Sequence, residues 1–109
     1  MKVIKINKKD HVLKFTTKAL INLNATGITL TSLSADMEKL NLISLYEAFY
    51  EGLKFGNPSI TLDEVYELID LYYEEGGEVE HFFTTILEEY AKSMGLGKKF
   101  KEIIKQQTN

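Results

Sequence analysis

The strongest constraint on the fold is a change in the spacing of apolar residues close to residue 16. The first part of the chain holds two short alternating runs, KVIKI and HVLKF. Successive side chains of a β-strand point to opposite faces, so this spacing predicts two strands with one apolar face each. The polar segment between them, residues 7–10, has the composition of a turn. Residues 1–16 are therefore expected to form an antiparallel β-hairpin.

After position 16 the apolar residues recur every three or four positions, which is the spacing of an amphipathic helix. We expect a short helix capped by Thr17 that ends near Asn24, and then a short extended piece over residues 28–33. A longer helix should begin after Ser34, because acids follow there and suit a first turn. It should continue to the breaking segment 56–58. Its apolar stripe consists of Leu42, Leu45, Tyr46, Phe49 and Leu53.

Two more helices are predicted in the second half of the chain. The first begins at a capping box, in which the Thr61 hydroxyl and the Glu64 carboxylate bond each other's free backbone amides. Gly76-Gly77 ends it, and Gly95 or Gly97 ends the last helix. The short glycine turn predicts that the two helices pack as an antiparallel pair. Their predicted buried residues are Leu62, Val65, Tyr66, Ile69, Tyr72 and Tyr73, and then Val79, Phe82, Phe83, Ile86, Leu87, Tyr90, Ala91 and Met94.

The length of 109 residues is enough for one domain with a modest core. A hairpin alone is marginal in water, so it must pack on the helices. We therefore expect one domain over residues 1–109, of the α+β class and mostly α. The β-hairpin (1–16) would pack on a bundle of about four helices within a helical body (17–97). The lysine-rich segment 98–109 would extend it as a frayed tail.

Charge is distributed unevenly along the chain. Residues 34–90 carry fourteen acids and two lysines, whereas lysines outnumber acids in residues 1–33 and 91–109. Every basic residue apart from histidine is lysine. Arginine dominates the recognition of phosphates and base edges, and an acidic body repels a phosphate backbone. This composition argues against nucleic acid as a partner.

The sequence also predicts where the protein works. It has no cysteine, so a disulfide framework and a cysteine-based zinc site are excluded. The first ten residues contain no apolar run typical of a signal peptide. No stretch approaches the roughly 20 apolar residues that span a bilayer. We expect a soluble protein of the cytoplasm with no membrane partner.

Motifs for catalysis or for cofactor binding were not found. The two histidines, His11 and His81, lack the spacing of a metal site. Glycine pairs follow helices and not strands, unlike phosphate-binding loops. Nucleophile motifs of hydrolases are missing as well. The sequence therefore predicts a protein that is not an enzyme and that needs no cofactor or metal.

Aromatic residues are more numerous than short helical stripes require, with six Tyr and six Phe. Tyrosine is enriched at protein–protein interfaces. Aromatic residues at the edges of the stripes, or beyond them, are the candidates for binding a partner protein. These candidates are Tyr50, Phe55, Tyr73, Phe83 and Phe100.

The order of these features resembles the tail assembly chaperones of long-tailed phages and prophages of Gram-positive bacteria. Similar proteins begin with a hairpin of the form I-x-I-N-x-K-x-x-x-L-x-F, here at Ile4 to Phe15. They also carry a phrase like L-x-x-x-N-P-S-I-T-x-D-E-V-x-x-L-I-D, here from Leu53 to Asp70, followed by a turn that contains glycine. The likeness covers nearly the whole chain and involves structural residues, so it transfers no catalytic residue.

The resemblance implies a function during tail assembly. Such proteins bind the long, hydrophobic tape measure protein and keep it soluble while tube subunits polymerise around it. The tail tube protein is a second implied partner, and self-association into a homo-oligomer is compatible with this function. The finished virion should lack the protein. We hypothesise that the last two helices and the lysine-rich tail form the binding surface. Two alternatives remain: a small prophage regulator that acts as a DNA-binding protein or anti-repressor, and a structural tail or head–tail completion component.

Overall fold

The computed structural model describes residues 1–96, which form a hairpin followed by five helices. The prediction of a mostly α fold of the α+β class is confirmed. Hairpin and helices enclose one continuous hydrophobic core. The elements are β1 (Lys2–Ile6), β2 (Lys9–Leu13), α1 (Thr17–Ala25), α2 (Leu30–Lys39), α3 (Leu42–Leu53), α4 (Leu62–Glu74) and α5 (Val79–Ser93).

The two strands pair antiparallel, from Lys2 opposite Leu13 to Ile6 opposite Lys9. Asn7 and Lys8 form the turn, and both have a positive φ, of 53° and 64°. A two-residue turn of this hand matches the natural twist of paired strands. The turn is therefore two residues long and not the four predicted, since β2 begins at Lys9. The inner face of the hairpin buries Ile6 and Leu13 completely.

The first two helices differ from the prediction in their starts. Thr16 caps α1, because its hydroxyl accepts a hydrogen bond from the Ala19 amide at 3.2 Å. The extended piece predicted over residues 28–33 is wrong, because α2 begins at Leu30. Thr29 and Ser32 form a reciprocal capping box there. A serine in the place of the usual Glu or Gln hides this signal from sequence inspection.

The long helix predicted after Ser34 is in fact two helices. Leu40 has a positive φ of 54° and separates α2 from α3. Its amide donates to the Met37 carbonyl at 3.2 Å, and the Asn41 amide donates to the Asp36 carbonyl at 2.9 Å. These two hydrogen bonds are typical of a helix that ends at a residue in the left-handed conformation, and glycine normally occupies that position. Since leucine stands there, the pattern of residue types gives no warning of the break.

The predicted starts and stops of the last two helices are mostly confirmed. The capping box of α4 is present: the Glu64 amide donates to the Thr61 hydroxyl, and the Thr61 amide donates to the Glu64 carboxylate. Gly76 and Gly95 follow α4 and α5 with positive φ. The predicted antiparallel pairing of α4 with α5 is wrong. Helix α5 lies mainly against α2 and α3, and α4 lies against α3 and β1.

The core is built around aromatic contacts between elements that are distant in sequence. The Phe49 and Phe82 rings lie 4.8 Å apart and join α3 to α5. Tyr90 is almost wholly buried, and its hydroxyl donates to the Asn24 side chain at 3.1 Å. Burial raises the pKa of Tyr90. Most of the predicted stripe of α5 is buried as expected, namely Phe82, Phe83, Ile86, Leu87, Tyr90 and Ala91.

Candidate partner-binding surface

A groove of about 310 Å³ lies on the surface between the first half of α3 and the middle of α4. We call it the α3–α4 groove. It exists because α3 carries large apolar residues at its start, on a side that no neighbouring helix covers. Its apolar lining consists of Leu42, Ile43, Tyr46, Tyr66, Ile69 and Tyr73.

Several of these side chains are unusually open to solvent for their size. Ile43 is 71% exposed and Tyr66 is 45% exposed. The sequence pattern placed Tyr66 on the buried face of its helix, and this prediction is wrong. Scattered exposed apolar residues are ordinary, but several around one groove mark an interaction site. The groove is therefore a candidate for binding another protein.

The floor of the groove is held in place by two tyrosines from different helices. The hydroxyls of Tyr46 and Tyr73 lie 3.1 Å apart and share a hydrogen bond. Burial, followed by this bond, raises the pKa of Tyr73 well above its ordinary value. The floor offers flat aromatic surface with polar tips, which is a common feature of protein–protein interfaces.

The turn between α2 and α3 adds a further apolar residue close in sequence to the groove. Leu40 is 55% exposed and occupies the left-handed conformation, which costs an ordinary residue about 1 kcal/mol. The Ser44 hydroxyl donates to the Asp36 carboxylate at 2.5 Å and so joins the two helices across the turn. An exposed leucine that is strained and contributes little to the core is a reasonable candidate for function.

We predict that Leu40→Gly leaves the protein at least as stable as the natural chain. Glycine removes the left-handed strain, although it also gives the unfolded chain more freedom. Leu40→Ala is the matched control, because it also removes the side chain but retains the strain. The glycine variant should be more stable than the alanine variant by about 1 kcal/mol. Urea unfolding followed by circular dichroism measures the difference, and equal stabilities would contradict the strain at this position.

Acidic residues border the groove. Among the residues that the structure describes, the lining includes Glu47 on α3 and Asp70 on α4, and no basic side chain. Further exposed acids, Asp63 and Glu67, lie on the same helix α4. The field around the groove is therefore negative, which favours a partner with basic side chains beside its apolar ones.

The five aromatic residues predicted to bind a partner have different locations. Tyr73 lines the α3–α4 groove. Tyr50 is partly buried beneath the Lys54 ammonium, 4.3 Å from the ring centre, and Phe55 is exposed beneath Lys14. Phe83 has no exposed surface, so it belongs to the core and cannot be reached by a partner. Phe100 lies outside the described residues.

The residues that the sequence prediction missed are Leu42, Ile43 and Tyr66. Leu42 and Tyr66 were assigned to buried stripes, because apolar residues at helical spacing are usually core. Their exposure follows from the way the helices pack, since the described elements leave the side of α3 with Leu42 and Ile43 exposed. The helix break at Leu40 is the local feature that precedes this exposed side of α3, and no glycine or proline marks this break in the sequence.

A second cavity, of about 490 Å³, lies between the hairpin and α4 and contains His11. The side chain of His11 is partly buried, and its Nε2 atom has no hydrogen-bond partner in the described part of the chain. Burial, aided by the nearby Lys9 charge, lowers the pKa of His11 below its ordinary value of 6.5, and Asp10 opposes the shift. The folded protein therefore favours a neutral His11.

This shift predicts a loss of stability in mild acid. The unfolded chain binds a proton at His11 more readily than the folded chain does, because the folded pKa is the lower one. The contribution of His11 to the stability of the fold is complete above the pKa that His11 has in the unfolded chain. It is lost as the pH falls towards the pKa that His11 has in the folded chain. The urea concentration at the midpoint of unfolding should therefore decrease as the pH is lowered from neutral to about 5. The fall should be smaller in His11→Gln, and an equal fall in both proteins would assign it to other groups.

Among residues 1–96, no three side chains of the His, Asp and Glu types come together as they would to hold a metal ion. None of the helices described is both long and apolar enough to cross a bilayer.

Comparison with protein families identifies the chain. A sequence model described as "Phage tail assembly chaperone protein, TAC" matches residues 3–105, which is nearly the whole length. Searches of curated proteins and of solved structures each returned no match. The family model agrees with the resemblance that the hairpin and the Leu53–Asp70 phrase indicated. The chain belongs to the phage tail assembly chaperone family.

Proposed function

We propose that this chaperone binds the tape measure protein and keeps it soluble while the tail tube assembles. The observation that carries the proposal is the α3–α4 groove, with large apolar side chains open to solvent around an aromatic floor. Binding would take place in the cytoplasm of the bacterial host, before the tail is complete. The role is non-catalytic, and the tail tube protein is a second proposed partner.

The shape of the groove suits a helix as its occupant. On the α4 side its lining residues run from Tyr66 to Tyr73, about two helical turns or roughly 10 Å. On the α3 side Ile43 and Tyr46 lie one turn apart. An amphipathic helix docks in such a groove by inserting apolar residues that recur every three or four positions. Long tape measure segments of helical pattern would supply these residues.

The charge of the groove selects among such helices. Glu47 and Asp70 would face the flanks of a bound helix, so lysine or arginine on those flanks is favoured. Acidic flanks would be repelled. The sequence alone suggested a surface on the last two helices, whereas we propose that α4 forms the binding surface together with α3 and not with α5.

Co-expression with the tape measure protein of the same phage tests the proposal. We expect the tape measure protein to be largely insoluble alone, and to become soluble and co-purify with the chaperone when both are made. An unchanged soluble fraction would contradict the proposal.

Purified virions provide a second test, which separates the chaperone from a structural tail component. Mass spectrometry of purified phage should detect the tape measure protein and not this chain. Its presence in virions, at the level of a structural subunit, would favour the structural alternative.

A further inference from the structure

The two edges of the hairpin are packed differently against the helices. At the β2 edge, the Lys14 amide donates to the Gly52 carbonyl of α3 at 2.9 Å. Just beyond α3, Gly56 lies so close that an added Cβ would be 3.1 Å from the Cβ of Val12. The end of α3 therefore packs against β2 at Val12 and Lys14 and leaves no space for another strand beside these two residues.

The edge formed by β1 is open. Ile6 and Lys9 close the two-residue turn, so they form a hydrogen-bonded pair, and such pairs alternate along an antiparallel ladder. The backbone groups of Val3 and Lys5 must then point away from β2. No residue in the described range hydrogen-bonds to the amide or the carbonyl of either one.

A groove of about 220 Å³ runs along this open edge, with β1 on one side and α5 on the other. Ile4 and Phe82 contribute apolar surface, and Thr85 contributes a hydroxyl. Near the start of β1, the amino group of Met1 pairs with the Glu89 carboxylate at 2.5 Å. Near its end, Lys5 and His81 both line the adjoining cavity, so residues of β1 and α5 lie opposite each other at both ends of the groove.

We propose that the β1 edge binds an extended polypeptide segment as a third strand, with alternating apolar and acidic side chains. The outward amides and carbonyls of Val3 and Lys5 would provide the main-chain bonds, as in other complexes formed by strand addition. Side chains on the inner face of the added strand would contact Ile4 and Phe82, so they should be apolar. Side chains on the outer face would lie beside Lys5, so they should be acidic.

The charge of the hairpin supports an acidic occupant over a second copy of the same strand. Lys2, Lys5, Lys8 and Lys9 are all exposed on the hairpin, against one exposed acid, Asp10, which stands opposite Lys5. A second hairpin would bring the same positive charge to the edge and would be disfavoured. An acidic strand would neutralise it. Lysines on an edge thus exclude most strands while admitting one of opposite charge.

This site is independent of the proposed tape measure binding, because it uses β1 and α5 and not α3 with α4. The probe is a synthetic peptide of alternating valine and glutamate, acetylated and amidated at its ends, titrated into the ¹⁵N-labelled full chain. We expect the Val3 and Lys5 amide signals to shift, and their hydrogen exchange to slow at least tenfold. Absence of binding, or shifts confined to the α3–α4 groove, would overturn the proposal.

Two controls separate strand addition from simple charge attraction. The same peptide with every backbone nitrogen methylated keeps its side chains but loses its amide donors, and it should not bind. A peptide of alternating valine and lysine should bind more weakly than the valine–glutamate peptide. Equal binding of all three peptides would overturn the proposal.

The Lys5→Glu variant tests the role of charge at the edge. It should weaken binding of the valine–glutamate peptide about fivefold and strengthen binding of the valine–lysine peptide. Lys18→Glu is the matched control, because it makes the same change in net charge on an exposed position of α1. It should leave both affinities unchanged. Equal effects of the two variants would show that only the overall charge matters and would overturn the proposal.

Discussion

Replacing Ile43 with lysine should prevent the chaperone from keeping the tape measure protein soluble. Ile43 is the most exposed large apolar residue of the described chain and lies in the α3–α4 groove. A lysine there would put a hydrated charge against an apolar partner surface, and it would repel basic flanks. Apolar anchor residues commonly contribute 2 kcal/mol or more, so we expect affinity to fall at least tenfold.

The control for this experiment is the same substitution at a second exposed isoleucine. Ile21 is 61% exposed on α1 and does not line the groove. Lysine is a good helix former, and both positions are open to solvent, so neither variant should lose more than a few tenths of a kcal/mol of stability. Ile21→Lys should support tape measure solubility as the natural protein does. If the two variants behave alike, the α3–α4 groove is not the binding surface.

The largest expected effect on stability comes from Gly52→Ala in the last turn of α3. Helix propensity alone predicts that alanine stabilises this position by about 1 kcal/mol. The tertiary structure predicts the opposite. A Cβ at residue 52 would lie 2.3 Å from Cδ1 of Leu13 and 3.2 Å from the Phe15 ring. Because these side chains are buried, relieving the overlap should cost about 2 kcal/mol or more, which urea unfolding would detect.

A double-mutant cycle assigns that loss to the contact with Leu13. Leu13→Ala removes the atom that an added Cβ would strike, although by itself it leaves a cavity in the core. The two changes together should cost clearly less than the sum of the single changes. Additive costs, or a stabilising Gly52→Ala, would show that the hairpin does not approach α3 this closely.

Features governed by residues close in sequence could be predicted. The capping box at Thr61 and the glycine ends of α4 and α5 need only a few neighbouring residues, and all three were confirmed. The hairpin was predicted for the same reason, since its alternation and its polar turn are local. Most of the predicted stripe of α5 was also correct, because this helix packs against α2 and α3, but Met94 at the end of the stripe is exposed.

Features governed by packing between helices could not be predicted. A helical stripe shows that one face is apolar, but it does not show which part of that face another element will cover. Tyr66 and Leu42 fit their stripes and yet remain exposed. The break at Leu40 was missed because leucine occupies a conformation that normally belongs to glycine.

The family and the general architecture follow from the sequence by itself. The spacing of apolar residues, the helix caps and the turns are all set by residues that are neighbours in the chain. The candidate binding surfaces follow only from the tertiary structure. The α3–α4 groove depends on α5 packing against α2 and α3, which leaves α4 beside the exposed side of α3 that carries Leu42 and Ile43. The open β1 edge depends on the end of α3 covering the opposite strand. Burial is a property of several elements together, so residue patterns within one helix or strand do not determine it.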